Sequence, residues 1–594
     1  MGSSRLPGKV LSTIASKPVL WHVIHRLRQC QQIDQIIIAT TTDQQDDAIA
    51  NYAQQQGVGI SRGPEANVLE RYRLAAKQSN ADIIIRVTGD SPLIDPTTLD
   101  NMIFTLKSEQ ADICRGRPGP HGLKVVHEGF TPISRRAFEQ QVIKGGHDPA
   151  VQEHVTTKLQ EYVTDLKIAE VDFNPEHFFS EVRLSVDTPA DLEFMNRIYQ
   201  LLGAAPGDAD LSKVVRLLKH NPELLAINAH VHQKAADEKS HQVMIRCDGD
   251  SRVGLGHVMR CLSLAQALRD QYSVGVRFAM QASTLTAEHS GKVLLETALF
   301  PVDLIPTDAN EHDWINTQIA LHPVDAIIFD IRTDLPAAAL SDWRQQHLLT
   351  VCIDEPSERR LNCDLAFYPP VPQIEQMSWQ GFNGTLNCGW QWILLGASFK
   401  QQSSFKQLPA AGNDQLPQLL ISMGGADPAA MTLKAIEALA SVKHDHQAHV
   451  ILGKAFNRAA DARALADKLK LDINFHHHIR DMAGFISNMD LAIAAFGVTA
   501  YELAACGVPS LLLSLSEEHA LAAQTLHRRE AACSLGMHSE VSSKHLGQQI
   551  NQLLADDARR QSMREAALSL QIINGADKIA ASIKDALNSQ GVAP

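Results

Sequence analysis

His257 is the residue from which the chemistry of this chain can first be read. It lies in Met244–Leu268, MIRCDGDSRVGLGHVMRCLSLAQAL. Val243–Ile245 make a short apolar strand, Arg246–Gly256 a polar loop, and Val258, Cys261, Leu262, Ala265 and Leu268 recur at helical spacing. A strand feeding a helix through Gly254 and Gly256 exposes the helix's first N–H groups to an anion. A histidine at that mouth can titrate near neutral pH or hold a water. The glycines alone fit ordinary strand–loop–helix packing equally well, since such patterns need context.

Carboxylates form the second set. Asp90 follows ADIIIRVTG and Asp187 follows VRLSV, each at the end of a strand, where open α/β sheets bind ligands. Near the start, Arg5 and Lys9 flank a Pro–Gly turn, an arrangement suited to a triphosphate or to a flexible basic terminus. Two carboxylates beside a triphosphate make a Mg²⁺ site; helix N-capping is the alternative for each. Asp330 and Asp354 likewise end the buried runs VDAIIFD and LLTVCIDE, and could orient a sugar hydroxyl or His257, or cap the next turn. Further on, Gly424 and Gly425 precede Asp427 and Pro428, which read as N-cap and first residue of a long helix and hence a second anion site. A third strand–glycine turn carries Gly497 and Thr499, with Glu502 on the helix behind. His476, His477 and His478 are consecutive, so a strand points them to alternate faces and they cannot share one metal ion without distortion.

The elements that must position these residues alternate strand and helix along most of the chain, which implies α/β architecture. The chain has 594 residues, a net charge of −13, 44% apolar residues and nine cysteines without a C-x-x-C pair. That length suits three or four folding units of about 100–200 residues. The acidic balance argues against a nucleic-acid polymer as partner. No run approaches the ~20 apolar residues of a membrane span, and scattered cysteines fit a reducing cytoplasm. Turn residues and polar composition mark a boundary at 203–240. The expected units are 1–202, a helical tail and linker 203–240, then 241–405 and 406–594.

Whole segments resemble known families. MGSSRLPGK, IIIATTTDQQDD, RGPEANVLERY, IIRVTGDSPLIDP, QEHVT and RLSVDTPADLE are similar, in order, to the CMP-sugar synthetases and more closely to the spore-coat cytidylyltransferases (SpsF). RCDGDSRVGLGHVMRCLSLA resembles the opening of the UDP-sugar hydrolases of pseudaminic acid synthesis (PseG) and the related SpsG proteins, themselves similar to MurG-type GT-B glycosyltransferases. The resemblance implies a GT-A-like nucleotidyltransferase with a Rossmann-like mixed sheet, followed by a GT-B pair of Rossmann-like domains. It implies Ser3, Ser4, Arg5 and Lys9 on CTP, Asp90 and Asp187 on Mg²⁺, and His257 as the catalytic base. It also implies Asp248, Asp330 and Asp354 orienting the second substrate, with Gly424, Gly425, Thr499 and Glu502 on UDP. Where the family carries an acidic G-L-D-V-E-V segment, this chain has Lys124 and Val126 in HGLKVVHEG.

The expected activities are CMP transfer from CTP to a sugar acid and hydrolysis of a UDP-linked deoxy amino sugar, in nonulosonate-type surface-glycan synthesis. The alternative is a UDP-dependent glycosyltransferase behind a non-catalytic nucleotide-binding module. A homodimer through the first domain is a further expectation. The family's signature loop normally follows a central strand, and here Met1 already lies inside that loop. A true start upstream, or a weakened first domain with unpaired strands and an apolar gap, is expected from that.

Overall fold

The β-branched run Gln35–Thr40 becomes β1 (Ile37–Thr41), and β2 (Gly59–Gly63) lies parallel to it. α1 (Val68–Ser79) follows, its first turn capped by the Asn67 side chain, which accepts from the Glu70 N–H. The computed structural model describes residues 1, 3, 5–117, 126, 130–179, 182–231, 241–249, 255–282, 291–400, 416–425, 427–453, 456–477, 479, 481–573 and 575–590. It divides into two units, Met1–Ser240 and His241–Pro594.

In the first unit, β3 (Ile83–Val87), β4 (Ile113–Gly116), β5 (Phe130–Ser134) and β6 (Ile168–Val171) form a mixed sheet in the order β3-β5-β4-β6. α2 (Pro189–Leu202) carries a capping box of Thr188 and Asp191 and buries Phe194, Met195 and Ile198. The expected single mixed sheet is in two pieces. Among the described residues, β1 has only β2 beside it and β3 only β5. A cavity of about 470 Å³ lies against both strands, lined by Leu27, Ile36, Ala39, Tyr72, Ile84 and Ile85 among others. Among the described residues, backbone groups on those two edges have no ladder partner.

The second unit contains two wholly parallel sheets. β7 (Gln242–Cys247), β8 (Gly275–Gln281), β9 (Val302–Ile305), β10 (Ala326–Asp330), β11 (Leu349–Ile353), β12 (Leu365–Tyr368) and β13 (Thr385–Cys388) take the order β9-β8-β7-β10-β11-β12-β13. β14 (Gln418–Ser422), β15 (Gln447–Ile451), β16 (Ile473–His476), β17 (Leu491–Ala495), β18 (Ser510–Ser514) and β19 (Cys533–Met537) take the order β16-β15-β14-β17-β18-β19. Both are doubly wound Rossmann-like sheets, and together they give the GT-B arrangement. In such sheets ligands bind at strand carboxyl ends where the order reverses, here after β7 and β10 and again after β14 and β17.

α3 (Gly256–Tyr272) follows β7 and buries Val258, Cys261, Leu264, Ala265 and Leu268. α4 (Met431–Leu439) follows β14, and α5 (Val498–Ala505) follows β17. The last helix, α6 (Gly575–Gln590), returns to the first half of the unit. Its Ala576, Ile579, Ala580, Ile583 and Leu587 share one core with α3 and β7, so the chain's end packs on the first half of the unit. Gly575 lets the helix start there, since a Cβ would stand 2.0 Å from the Ile393 carbonyl oxygen. Three large aliphatic side chains on that face contribute about 1.5–3 kcal/mol each to holding the halves together.

No helix among the described residues is long and apolar enough to cross a membrane. Native-state hydrogen exchange should find the unpartnered edges of β1 and β3 exchanging on the order of ten-fold or more faster than the central β7 and β10. Equal protection in the four strands would show that the gap beside β1 and β3 is closed in solution.

Candidate active sites

In the first unit, four residues singled out from the sequence meet at one point. Lys9 Nζ lies 2.5 Å from Asp90 Oδ2 and 2.6 Å from Asp187 Oδ1, and Arg5 is 3.2 Å from Asp187. Neither carboxylate caps a helix. That work falls to Asp95 before the helix Pro96–Ser108 and to Thr188 before α2. Burial alone would lower the Lys9 ammonium, but the two carboxylates outweigh it and hold it above its ordinary range. Asp187 resists burial in the same way, its carboxyl held well below the usual range by Lys9 and Arg5. Two carboxylate oxygens converging on a single cation position form the hard-donor set that a divalent ion shares with phosphate and water. Ser3 accepts from the Leu6 N–H within the loop, at 3.4 Å. Ser4 and Lys124 lie outside the described residues, and Val126 is buried in the core around Leu93 and Val186.

In the second unit, His257 is the second residue of α3, at the reversal point between β7 and β10. Its Nδ1 lies 2.6 Å from Oδ1 of Asp330, which ends β10 and is wholly buried. Arg260, one turn along α3, donates to both Asp330 oxygens at 2.5 and 2.6 Å and to Asp354 at 3.3 Å. Burial would raise the Asp330 carboxyl, but Arg260 and His257 hold it well below the carboxylate range. An ionised Asp330 can only accept, so it turns Nδ1 of His257 inward, where Arg260 Nη2 also stands 3.2 Å away. Neither Asp330 nor Asp354 caps a helix; Asp330 contacts His257, and Asp354 accepts from Arg260. Asp354, left-handed at φ 50°, also accepts from Arg332 at 3.3 Å. Asp248 pairs with the buried Arg246 at 2.8 Å and accepts from the Gln281 N–H. Gly254 lies outside the described residues.

The second sheet changes two details of the expected UDP site. α4 begins at Met431, not at Pro428, and the Asp427 carboxylate accepts from the Met431 and Thr432 N–H groups at 2.8 Å. Those donors are therefore taken, while Gly424 and Gly425 stay exposed in the loop above, Gly424 at φ 79°. Gly453 allows that loop its path, since a Cβ there would meet the Gly424 and Gly425 carbonyls at 2.4 and 2.2 Å. Thr499 lies inside α5 rather than in the turn, and no side chain caps that helix. Its mouth is thus the better anion site of the two. Glu502 lies on α5, and burial pushes its carboxyl up to about 7. The histidine run does not converge: His476 Nε2 lies 3.0 Å from His449 Nδ1, whereas His477 contacts Arg463. His478 lies outside the described residues, and no group of three metal-binding side chains occurs among them.

With the geometry in hand, comparison with known proteins places the first unit. A family profile described as cytidylyltransferase matches residues 1–204. The spore coat polysaccharide biosynthesis protein SpsF of Bacillus subtilis is 34% identical over 232 residues, covering 38% of this chain and 92% of SpsF. The chain belongs to the cytidylyltransferase family. Beyond that domain, SpsG of the same organism is 23% identical over 347 residues, 58% of this chain and 98% of SpsG. A solved MurG from Acinetobacter baumannii matches 59% of the chain and 99% of its own length at 18% identity, with a TM-score of 0.42.

Sequence reasoning missed several residues of both sites. In the cytidylyltransferase domain, Arg183 pairs with Asp187 at 2.6 Å and with Asp191 at 3.2 Å. The signal was present, since Arg183 and Asp187 stand four apart and Thr188 and Asp191 have capping-box spacing. Arg260 had a similar signal, three residues after His257 on one helical face. Tyr501 had none; it is buried on α5 with its ring 6.5 Å from that of Trp390, and burial pushes its hydroxyl up.

The Glu502 shift has a defined pH signature. At pH 4 the carboxyl is protonated folded or unfolded and costs nothing. Between its ordinary 4.5 and about 7, the unfolded chain ionises while the native state does not, so stability falls as pH rises. Glu502→Gln should therefore raise the melting temperature at pH 8 and leave it nearly unchanged at pH 4.5. An equal effect at both pH values in a thermal scan would show that Glu502 ionises normally.

Proposed function

We propose that the chain is a bifunctional sugar-nucleotide enzyme of surface-polysaccharide synthesis: a cytidylyltransferase joined to a hydrolase of UDP-linked deoxy amino sugars. The observation that carries the second activity is the 2.6 Å contact of His257 with buried Asp330, which leaves Nε2 to act as general base. His257 takes a proton from water, the water oxygen bonds to the sugar's anomeric carbon, and the bond from that carbon to the UDP oxygen breaks. UDP and the free sugar leave. Arg260 keeps Asp330 ionised, Asp354 and Asp248 orient the sugar, and Glu502 accepts from the ribose hydroxyls. The Gly424–Gly425 loop and the α5 mouth at Thr499 hold the diphosphate.

In the first domain, a sugar-acid hydroxyl would attack the α-phosphorus of CTP, and pyrophosphate would leave as its bond to that phosphorus breaks. Asp90 and Asp187 would hold Mg²⁺, which neutralises developing charge on the phosphates. Arg5 and Lys9 bind the triphosphate, with the Ser3 loop around it. These roles are mostly positioning and charge stabilisation. The acidic chain suits a mononucleotide held by local cations rather than a polymer. Similarity to SpsF and SpsG in succession supports both reactions serving one glycan.

The test is a screen of UDP-sugars for UDP release by the intact chain in ¹⁸O-water. Label in the released sugar supports hydrolysis, whereas release only with an added sugar acceptor supports glycosyl transfer instead. His257→Ala should lower turnover by ~10²–10⁴ while leaving the UDP dissociation constant and the CTP reaction unchanged. Turnover within a few-fold of wild type would remove His257 as the base.

A further inference from the structure

The segment after α2 reaches back to the cytidylyltransferase site. The family profile stops at residue 204, while the likeness to SpsF runs over 232 residues, and the fold continues through the helix Leu211–His220 and the 3₁₀ turn Pro222–Ile227 to Asn228. Asn228 is 5% exposed and Asp191 1%. The Asn228 amide donates to Asp191 Oδ1 at 3.0 Å and to the Arg183 carbonyl at 3.4 Å. Asp191 in turn accepts from the Asp187 and Thr188 N–H groups at 3.0 and 2.9 Å, from the Thr188 hydroxyl at 3.0 Å and from Arg183 at 3.2 and 3.3 Å. Arg183 completes the relay by donating to the Asp187 carboxylate at 2.6 Å.

We propose that Asn228 is a positioning residue of the cytidylyltransferase site, fixing Asp187 through Asp191 and Arg183 so that both carboxylates aim at one cation. The inference rests on the reading of Asp187 as a metal ligand. Its physical basis is donor chemistry. A buried carboxylate that grips two backbone N–H groups and a guanidinium keeps its geometry only while its remaining lone pairs are also met. Asn228 supplies that last donor, and its second amide hydrogen ties the same point to the backbone of Arg183. Outer partners of this kind affect metal affinity or activity by about 10–100-fold.

Two substitutions separate a donor from a spacer. Asn228→Asp keeps the shape but brings an acceptor beside the Asp191 carboxylate; Asn228→Ala removes the donor and leaves a small space. Calorimetric titration of the full chain with Mg²⁺ in the presence of CTP reads affinity without turnover, and thermal unfolding confirms that each variant folds. The expected result is a loss of Mg²⁺ affinity of about tenfold or more in Asn228→Asp, at least as large as that in Asn228→Ala. If the isosteric Asp variant binds Mg²⁺ like wild type, or clearly better than the Ala variant, Asn228 merely fills space and the inference fails. If wild type itself shows no Mg²⁺-dependent CTP binding, the reading of Asp90 and Asp187 fails and the inference falls with it. Should Asn228→Asp fail to fold, Asn228→Ala decides alone, with unchanged affinity overturning the proposal.

Discussion

A carboxylate with no access to water has to be answered by cations, and the second unit is arranged around one such group. Asp330 ends the central strand β10 with an exposure of 0%, and Arg260 and His257 are what it finds. Removing one partner of such a buried pair costs about 3–5 kcal/mol, because the other is left charged and dry. The constraint works in both directions. It obliges α3 to present positions 257 and 260 toward β10, which in turn sets which ring nitrogen of His257 faces the cleft. Fold stability and the orientation of the His257 ring thus depend on the same contacts.

The two halves of that unit are tied together for equally physical reasons. α6 carries the end of the chain back to the core of the first half, and Tyr501 of α5 lies edge-on to Trp390 at 6.5 Å. A helix mouth without a side-chain cap is left at α5, whereas Asp427 closes the one at α4. Of two helix mouths that look alike in sequence, one is therefore left with uncapped N–H groups. The first unit follows a parallel logic, with Lys9 between two carboxylates at strand ends and a second tier of Arg183, Asp191 and Asn228 behind them.

Much of this was legible in the sequence because glycines, strand-ending acids and helical periodicity act locally. Asp90, Asp187, Arg5 and Lys9 do meet, as do His257, Asp330 and Asp354, and the doubly wound order follows from alternating strands and helices. What stayed hidden depends on the third dimension. Asp427 reads as an N-cap, yet in the fold it reaches four residues forward to Met431, so the helix starts later. Tyr501 looks like one more apolar helix residue until another half of the unit lies beside it. Asn228 ends HNPELLAIN, which resembles the tail of the cytidylyltransferase family, and only packing shows that it closes a hydrogen-bond network.

The central claim is that Asp330 fixes His257 as an imidazole with its proton on Nδ1 and its lone pair on Nε2. Nitrogen-15 spectra of ring-labelled histidine, with the His257 signals assigned by substitution to Gln, measure that tautomer directly. At pH 8 the account predicts a protonated Nδ1 and a bare Nε2 in the wild type, and loss of that preference in Asp330→Asn. A His257 ring protonated on Nε2, or one indifferent to Asp330→Asn, would contradict it.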